Sequence, residues 1–213
     1  MTSAAPTEPS GAPGRVPVHM AVVASGSAAW VAATGAGPAE LAAAEDRALR
    51  HLVDAAAAAG VRWLTVQEPT EGRGLRSVAD DLARRGVRVA SLDDVGGLPA
   101  AAGLTVLLTV RGRGRAAIVD AVRRLAEEGV RPADVDEKAI GARLDAPDVD
   151  LLVQTGGDRH VHDLLLWEVA YSELVVLDVP WPAVERAQVD QALAEYQRRD
   201  RRYGGIVTSG SSS

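Results

Sequence analysis

A polar run sits directly behind a glycine turn at Thr155-Gly156-Gly157-Asp158-Arg159-His160-Val161-His162-Asp163. Two histidines one residue apart, flanked by carboxylates, are a donor set that could ligate a cation. The same residues also read as the polar start of a helix, with Asp158 near the N-cap. The turn in front of them offers a different chemistry. A glycine break between a buried strand and a helix start leaves backbone N–H groups pointing outward, which suits an anion such as a phosphate. A second turn, Ala24-Ser25-Gly26-Ser27-Ala28-Ala29-Trp30, follows the first strand. Ligands of open α/β sheets gather at the carboxyl ends of strands, so it belongs with the first. Arg198-Arg199-Asp200-Arg201-Arg202 places cations near the chain's end. They are either a solvated helix terminus, favoured by the helix dipole, or a guanidinium offered to an anion. Arg111-Gly112-Arg113-Gly114-Arg115 offers cations that could hold an anion, but it reads first as a solvated turn after a strand.

Alternating elements must position these groups. Asp150–Val153 is a short apolar run, as expected of a strand buried on both faces, here the expected strand Asp150–Gln154, and Leu174–Leu177 is another. With His19–Ala24, Arg62–Gln67, Val87–Ser91 and Leu104–Val110 they make six expected strands. Helices are expected over Pro38–Ala59, Leu75–Arg85, Arg115–Glu128, Glu137–Leu144, Val161–Tyr171 and Val184–Arg202. Gly60, Gly86 and Gly129 each follow a helical run, where a left-handed cap belongs. The alternation predicts an α/β single domain with a central parallel sheet flanked by helices on both faces. Residues 1–16 and 208–213, rich in small and polar residues, are expected to be disordered tails around a domain at 17–207.

Composition narrows the classes. A chain of 213 residues is most simply one domain with a sizeable core. That core must be aliphatic, because Phe is absent and aromatic residues make up 3 %. The absence of cysteine excludes disulfides and thiolate metal sites and fits a reducing compartment. A net charge of −6 argues against a nucleic-acid footprint. No apolar run approaches the ~20 residues that a bilayer span needs, and the first residues lack a signal peptide's apolar core. A soluble, cytoplasmic protein is expected. Arginine far exceeds lysine, of which Lys138 is the sole example, and alanine is abundant, which points to a GC-rich bacterial genome.

Gln154-Thr155-Gly156-Gly157-Asp158, Leu165-Leu166-Trp167-x-x-Ala170-Tyr171-x-Glu173-Leu174 and Trp181-Pro182 resemble three consecutive motifs of the cis-prenyltransferases, the undecaprenyl diphosphate synthase family. There they read R-T-G-G-E, L-L-W-x-x-A-Y-x-E-L and W-P. Arg201-Arg202-Tyr203-Gly204-Gly205 resembles the family's closing R-R-F-G-G, and His19 to Trp30 resembles H-x-A-I-I-M-D-G-N-G-R-W, aligned without a gap to Gly60. The resemblance implies an isoprenyl transferase fold that condenses isopentenyl diphosphate with an allylic diphosphate on magnesium. It also implies where this chain departs from the pattern. Ser25 stands where the family's aspartate holds magnesium, Ser27 replaces its asparagine and Ala29 its arginine; Gly26 and Trp30 are kept. Pro38 and Ala42 take the places of a phosphate-binding arginine and histidine. Gln154 replaces the arginine of R-T-G-G, while His160 and His162 replace an arginine and a serine that grip the homoallylic diphosphate. Arg159 sits one position from the missing arginine. Asp158 and Glu173 keep carboxylates as weak remnants of a metal site. A neutral hydroxyl is a poor ligand for a hard cation.

The helices that build the family's tunnel are also shortened: Leu75–Arg85 replaces a much longer one, and a deletion falls between Val89 and Gly103. Each buried CH₂ of a prenyl tail contributes ~0.8 kcal/mol only where there is wall to touch. What survives is the region the family uses for its dimer, together with Arg202-Tyr203-Gly204, which in the family reaches the neighbouring subunit's homoallylic diphosphate. The resemblance therefore implies a catalytically degenerate subunit, like the Nogo-B receptor. Such a subunit completes a catalytic cis-prenyltransferase partner in a heterodimer or heterotetramer, with self-association as a homodimer when no partner is present. On this expectation no cofactor is held by the chain alone and magnesium belongs to the partner. Contact with membrane arises through the lipid product. Two alternatives are an active isoprenyl transferase with rearranged ligands and magnesium of its own, and a fold-retaining regulatory protein.

Overall fold

In the computed structural model, which describes residues 16–67, 73–92, 103–109, 114–144, 146–160 and 162–199, the most buried strand is the first. β1, His19–Val23, is buried at all five positions, and its side chains alternate between two cores. Met20 and Val22 enter the larger one, and Ala21 and Val23 the smaller. A strand with no polar face must lie inside the sheet. β1 does: it pairs in parallel with β2, Trp63–Gln67, on one side and with β5, Leu151–Gln154, on the other. β4, Thr105–Thr109, continues outward from β2 to β3, Arg88–Ser91, while β6, Glu173–Val176, closes the far edge beyond β5. The order β3-β4-β2-β1-β5-β6 is parallel throughout, as the sequence alternation predicts. The chain leaves β1 toward β2 and later returns to β1's other side as β5. The crevice where the winding reverses therefore opens between the carboxyl ends of β1 and β5.

Helices cover the faces. α1, Ser27–Thr34, precedes α2, Pro38–Ala59, and α3 spans Arg73–Arg84. α4, Gly114–Glu127, and α5, Glu137–Gly141, follow β4; α6, Arg186–Arg198, closes the described chain. α2 spans the range the sequence predicts. Pro38 occupies its first turn, Glu40 Oε2 accepts from Gly37 N at 2.8 Å, and Gly60 ends it at φ 86°. Leu49, Leu52 and Val53 of α2 join Val78 and Leu82 of α3 and Val189, Leu193 and Tyr196 of α6 in the larger core. Leu107, Val149, Leu164 and Leu165 line the smaller core with Ala21 and Val23.

Two expectations need correction. Val161–Tyr171 is not a helix: the described residues 162–171 form successive bends and turns. Leu165 takes a left-handed φ of 48°, which breaks an α-helix. Long-range bonds also hold the segment open: Gly114 N and Arg115 N donate to the Asp163 backbone and side-chain oxygens, and Val149 N donates to Glu168 O. The second correction is α1, an unexpected helix. Its Ser-Ala-Ala-Trp-Val-Ala-Ala-Thr sequence buries no residue, so it has no apolar stripe for periodicity to detect. The expected disordered tails, apart from the exposed Val16, and the shortened segment 93–102 lie outside the described residues. Among the described residues no helix is long and apolar enough to cross a membrane.

Candidate functional site

The turns after β1 and β5 are fastened to each other. Thr155 Oγ1 accepts from Ser25 N at 2.8 Å and lies 2.9 Å from Ser25 O, to which it donates. Trp181 N donates to the same Ser25 oxygen at 2.8 Å. Gly26, at φ 96°, is packed between Pro180 and Gly156: a Cβ on it would lie 2.8 Å from Pro180 Cβ and 3.1 Å from Gly156 Cα, and one on Gly156 would lie 2.9 Å from Ser25 O and 3.0 Å from Gly26 Cα. Thr155 is buried and its hydroxyl is fully used. Thr155→Val is therefore expected to leave Ser25 N without a partner and to destabilise the fold by about 2 kcal/mol. Thr155→Ser should recover most of that loss. Urea unfolding of the three proteins measures the difference.

The glycine turn does not present the free amides expected of it. Gly156 N donates to Val179 O at 2.8 Å and Gly157 N to Leu177 O at 2.9 Å, so both are consumed by the chain after β6. Amides without intrahelical partners lie instead at the start of α1. Its N-cap, Gly26, supplies no side chain, its first turn holds no acidic residue, and its opening amides lack intrahelical acceptors. Ser25 and Ser27 flank that opening. Ser27 Oγ donates to Glu45 Oε1 of α2 at 2.7 Å. Burial raises the pKa of Glu45 above the usual carboxylate value, against the Ser27 hydrogen bond that lowers it. Glu45 had no signal in the sequence, because nothing in the α2 pattern marks which residue reaches the β1 turn.

Asp158 lies beyond β5 with both oxygens engaged. Oδ1 accepts from His160 N at 3.0 Å and contacts His160 Nδ1 at 2.7 Å, and Oδ2 contacts His162 Nε2 at 2.9 Å. Chiefly the His160 backbone hydrogen bond, and then its ring, pulls the Asp158 pKa down to about 2. Asp158 caps a bend here, with no helix following it. Arg159 is exposed. Glu173 opens β6 opposite Leu151, at the amino edge of the sheet, where Arg199 pairs with it at 3.3 Å. Within one chain Asp158 and Glu173 therefore stand at opposite ends of the β5–β6 pair. Gln154, only 2 % exposed, donates from Nε2 to His160 O at 2.9 Å. Arg202, Tyr203 and Gly204 lie outside the described residues.

This donor set does not suit magnesium. The turn after β1 offers a neutral serine hydroxyl, Glu45 is tied to Ser27, and both Asp158 oxygens are tied to histidines. Among the described residues, no three of His, Cys, Asp and Glu gather as a metal site. A hard dication prefers charged oxygens with free lone pairs.

Residues 88–204 match the family model described as "Putative undecaprenyl diphosphate synthase". Isoprenyl transferase 2 of Bradyrhizobium diazoefficiens is 33% identical, over 92% of this chain and 93% of that protein. The isoprenyl transferase of Porphyromonas gingivalis is 29% identical, over 89% and 90%. Among solved structures, lavandulyl diphosphate synthase of Lavandula x intermedia, in complex with dimethylallyl diphosphate, superposes with TM-score 0.74 at 24% identity, covering 89% of this chain and 99% of that one. A probable undecaprenyl diphosphate synthase from Campylobacter jejuni superposes at 0.68 and 18% identity, covering 90% and 100%. Both superpositions speak to the fold.

Proposed function

The chain belongs to the undecaprenyl diphosphate synthase family of isoprenyl transferases, and from that premise we propose that it serves as a non-catalytic subunit of a polyprenyl diphosphate synthase. The observation that carries the reading is the turn after β1. Ser25 stands at the position where the family pattern has its magnesium-holding aspartate, and its N–H and C=O are bound by Thr155 and Trp181. Without a carboxylate there, charge developing on a departing diphosphate loses a metal contribution of several kcal/mol. Each ~1.4 kcal/mol is about tenfold in rate. The partner would be a catalytic cis-prenyltransferase with an intact D-G-N-G-R-W turn. The contribution in trans would be Arg202, whose guanidinium stays charged and matches a diphosphate geometrically.

A second reading is favoured by the relatives. Alignments covering nine-tenths of both chains join this protein to others named isoprenyl transferases, and on that side the chain turns over isoprenyl diphosphates itself, with ligands other than the family's. On the likeness to the relatives alone, this reading is the stronger of the two. One assay separates them: incorporation of labelled isopentenyl diphosphate with an allylic primer and magnesium, by the chain alone and with an intact paralogue. The first reading expects turnover alone to be roughly 1,000-fold below that of an intact family member. It also expects the chain to stimulate the paralogue, and Arg202→Ala to remove that stimulation while the complex persists. Turnover by the chain alone within tenfold of an intact member would overturn it in favour of the second.

A further inference from the structure

A crevice of about 390 Å³, within the size range of small-molecule sites, lies between α1 and the outer face of α2. Trp30 and Thr34, one turn apart on α1, form one wall. Glu40, Ala43 and Arg47, along one stripe of α2, form the other. That stripe is turned away from Leu49, Leu52 and Val53, which fill the larger core. Room exists because Ala43 carries only a methyl group between two long side chains. The link between the helices is braced at both ends. Thr34 Oγ1 donates to Trp30 O at 2.8 Å and accepts from Ala36 N at 3.3 Å, and Glu40 Oε2 accepts from Gly37 N at 2.8 Å. Walls held in this way need little ordering when a ligand arrives.

The two charged residues differ in what they already hold. Glu40 is engaged at the start of α2. Arg47 lies two turns further on, about 10 Å along the helix axis. Its neighbours three and four residues away are Ala43, Ala44, Arg50 and His51, none of them acidic. Among the described residues no carboxylate pairs with it.

We infer that the crevice between α1 and α2 binds a small aromatic monocarboxylate, its carboxylate on Arg47 and its ring against Trp30 over Ala43. A guanidinium offers two parallel N–H donors that match one carboxylate. An indole wall beside a methyl floor favours a flat apolar body, because aromatic rings stack at an offset. The single cation limits the ligand's charge. A diphosphate would bring several negative charges to one guanidinium, with Glu40 repelling them from the other end. The site uses neither Ser25 nor the turn after β5, so it stands whether or not the chain catalyses.

The test is calorimetric titration of the full chain with indole-3-acetate, its neutral amide indole-3-acetamide and inorganic diphosphate. Saturable binding of the acid, at least tenfold tighter than of the amide, is expected, with no saturation by diphosphate. Arg47→Met keeps the side chain's length and removes its charge. It should weaken the acid at least tenfold and leave the amide unchanged. Ala43→Leu should fill the crevice and abolish binding of both. Arg47 and Ala43 are exposed, so both variants are expected to fold, with urea unfolding as the check. No saturation by the acid, equal affinity for acid and amide, or tighter binding of diphosphate would overturn the inference. Unchanged affinity for the acid in either variant would do the same.

Discussion

Gly156→Ala is expected to destabilise the protein by about 3 kcal/mol, a large part of the ~5–15 kcal/mol that holds a typical domain together. Two causes add. Gly156 sits at φ +74°, a left-handed conformation that disfavours an L side chain by ~1–2 kcal/mol. A Cβ there would also lie 2.9 Å from Ser25 O and 3.0 Å from Gly26 Cα and N, all backbone atoms. Backbone held by Thr155 and Trp181 cannot step aside as a flexible side chain can, so overpacking adds ~1–3 kcal/mol. Gly35→Ala is the control, because Gly35 has a similar φ of +70° and nothing within 4 Å of its Cβ position. Only the conformational part should remain there. Guanidinium unfolding of both variants reads the difference, and equal losses would mean that the two turns do not touch. The prediction holds whether or not the chain catalyses, since the contact joins the turns after β1 and β5 in either case.

That contact also shows where sequence reasoning stops. Six strands, their parallel sense and the span of α2 are legible because buried parallel strands read as apolar runs and α2 repeats its apolar positions at helical spacing; the order of the strands is not. Gly60, Gly86 and Gly129 fall at left-handed φ as their places after helical runs imply. The segment Leu164–Tyr171 carried the same apolar spacing and yet is not helical. Its residues serve two separate partners, Leu164 and Leu165 the smaller core and Leu166 the close approach to Gly114. Spacing records which residues are buried and leaves out how many surfaces bury them. The site divides likewise. Ser25, Gln154 and Thr155 could be named from their places in motifs. Glu45 beside Ser27 depends on a contact between elements distant in the chain, which no local pattern encodes.

The second large effect is expected in acid. His19 is fully buried in β1, with Nδ1 2.8 Å from Pro147 O and Nε2 2.9 Å from Thr65 Oγ1. A carbonyl can only accept, so Nδ1 carries the proton and Nε2 accepts from the threonine. The ring is therefore neutral, and a second proton would require the Thr65 hydroxyl to turn away inside the core. Burial drives the pKa from 6.5 down to about 4, outweighing the Pro147 hydrogen bond and the nearby Asp150 charge, both of which raise it. The unfolded chain takes up this proton near pH 6.5 and the folded chain only near pH 4, so acid favours unfolding between the two. The neutral ring's full contribution is present above pH 6.5, and about 3 kcal/mol is lost by pH 4. Asp158, whose folded pKa lies below its unfolded one, acts lower: its contribution is present above the ordinary carboxylate range and fades as pH falls toward 2. The two windows are therefore separable. Urea unfolding at steps from pH 7 to pH 4 should show the slope, and His19→Gln should lower stability at pH 7 while flattening that slope. An unchanged slope in the variant would place the acid sensitivity elsewhere. The ring holds the foot of the strand whose other end carries Ser25, so acid is expected to loosen β1 from the amino edge of the sheet while the Thr155 fastening still holds its carboxyl end.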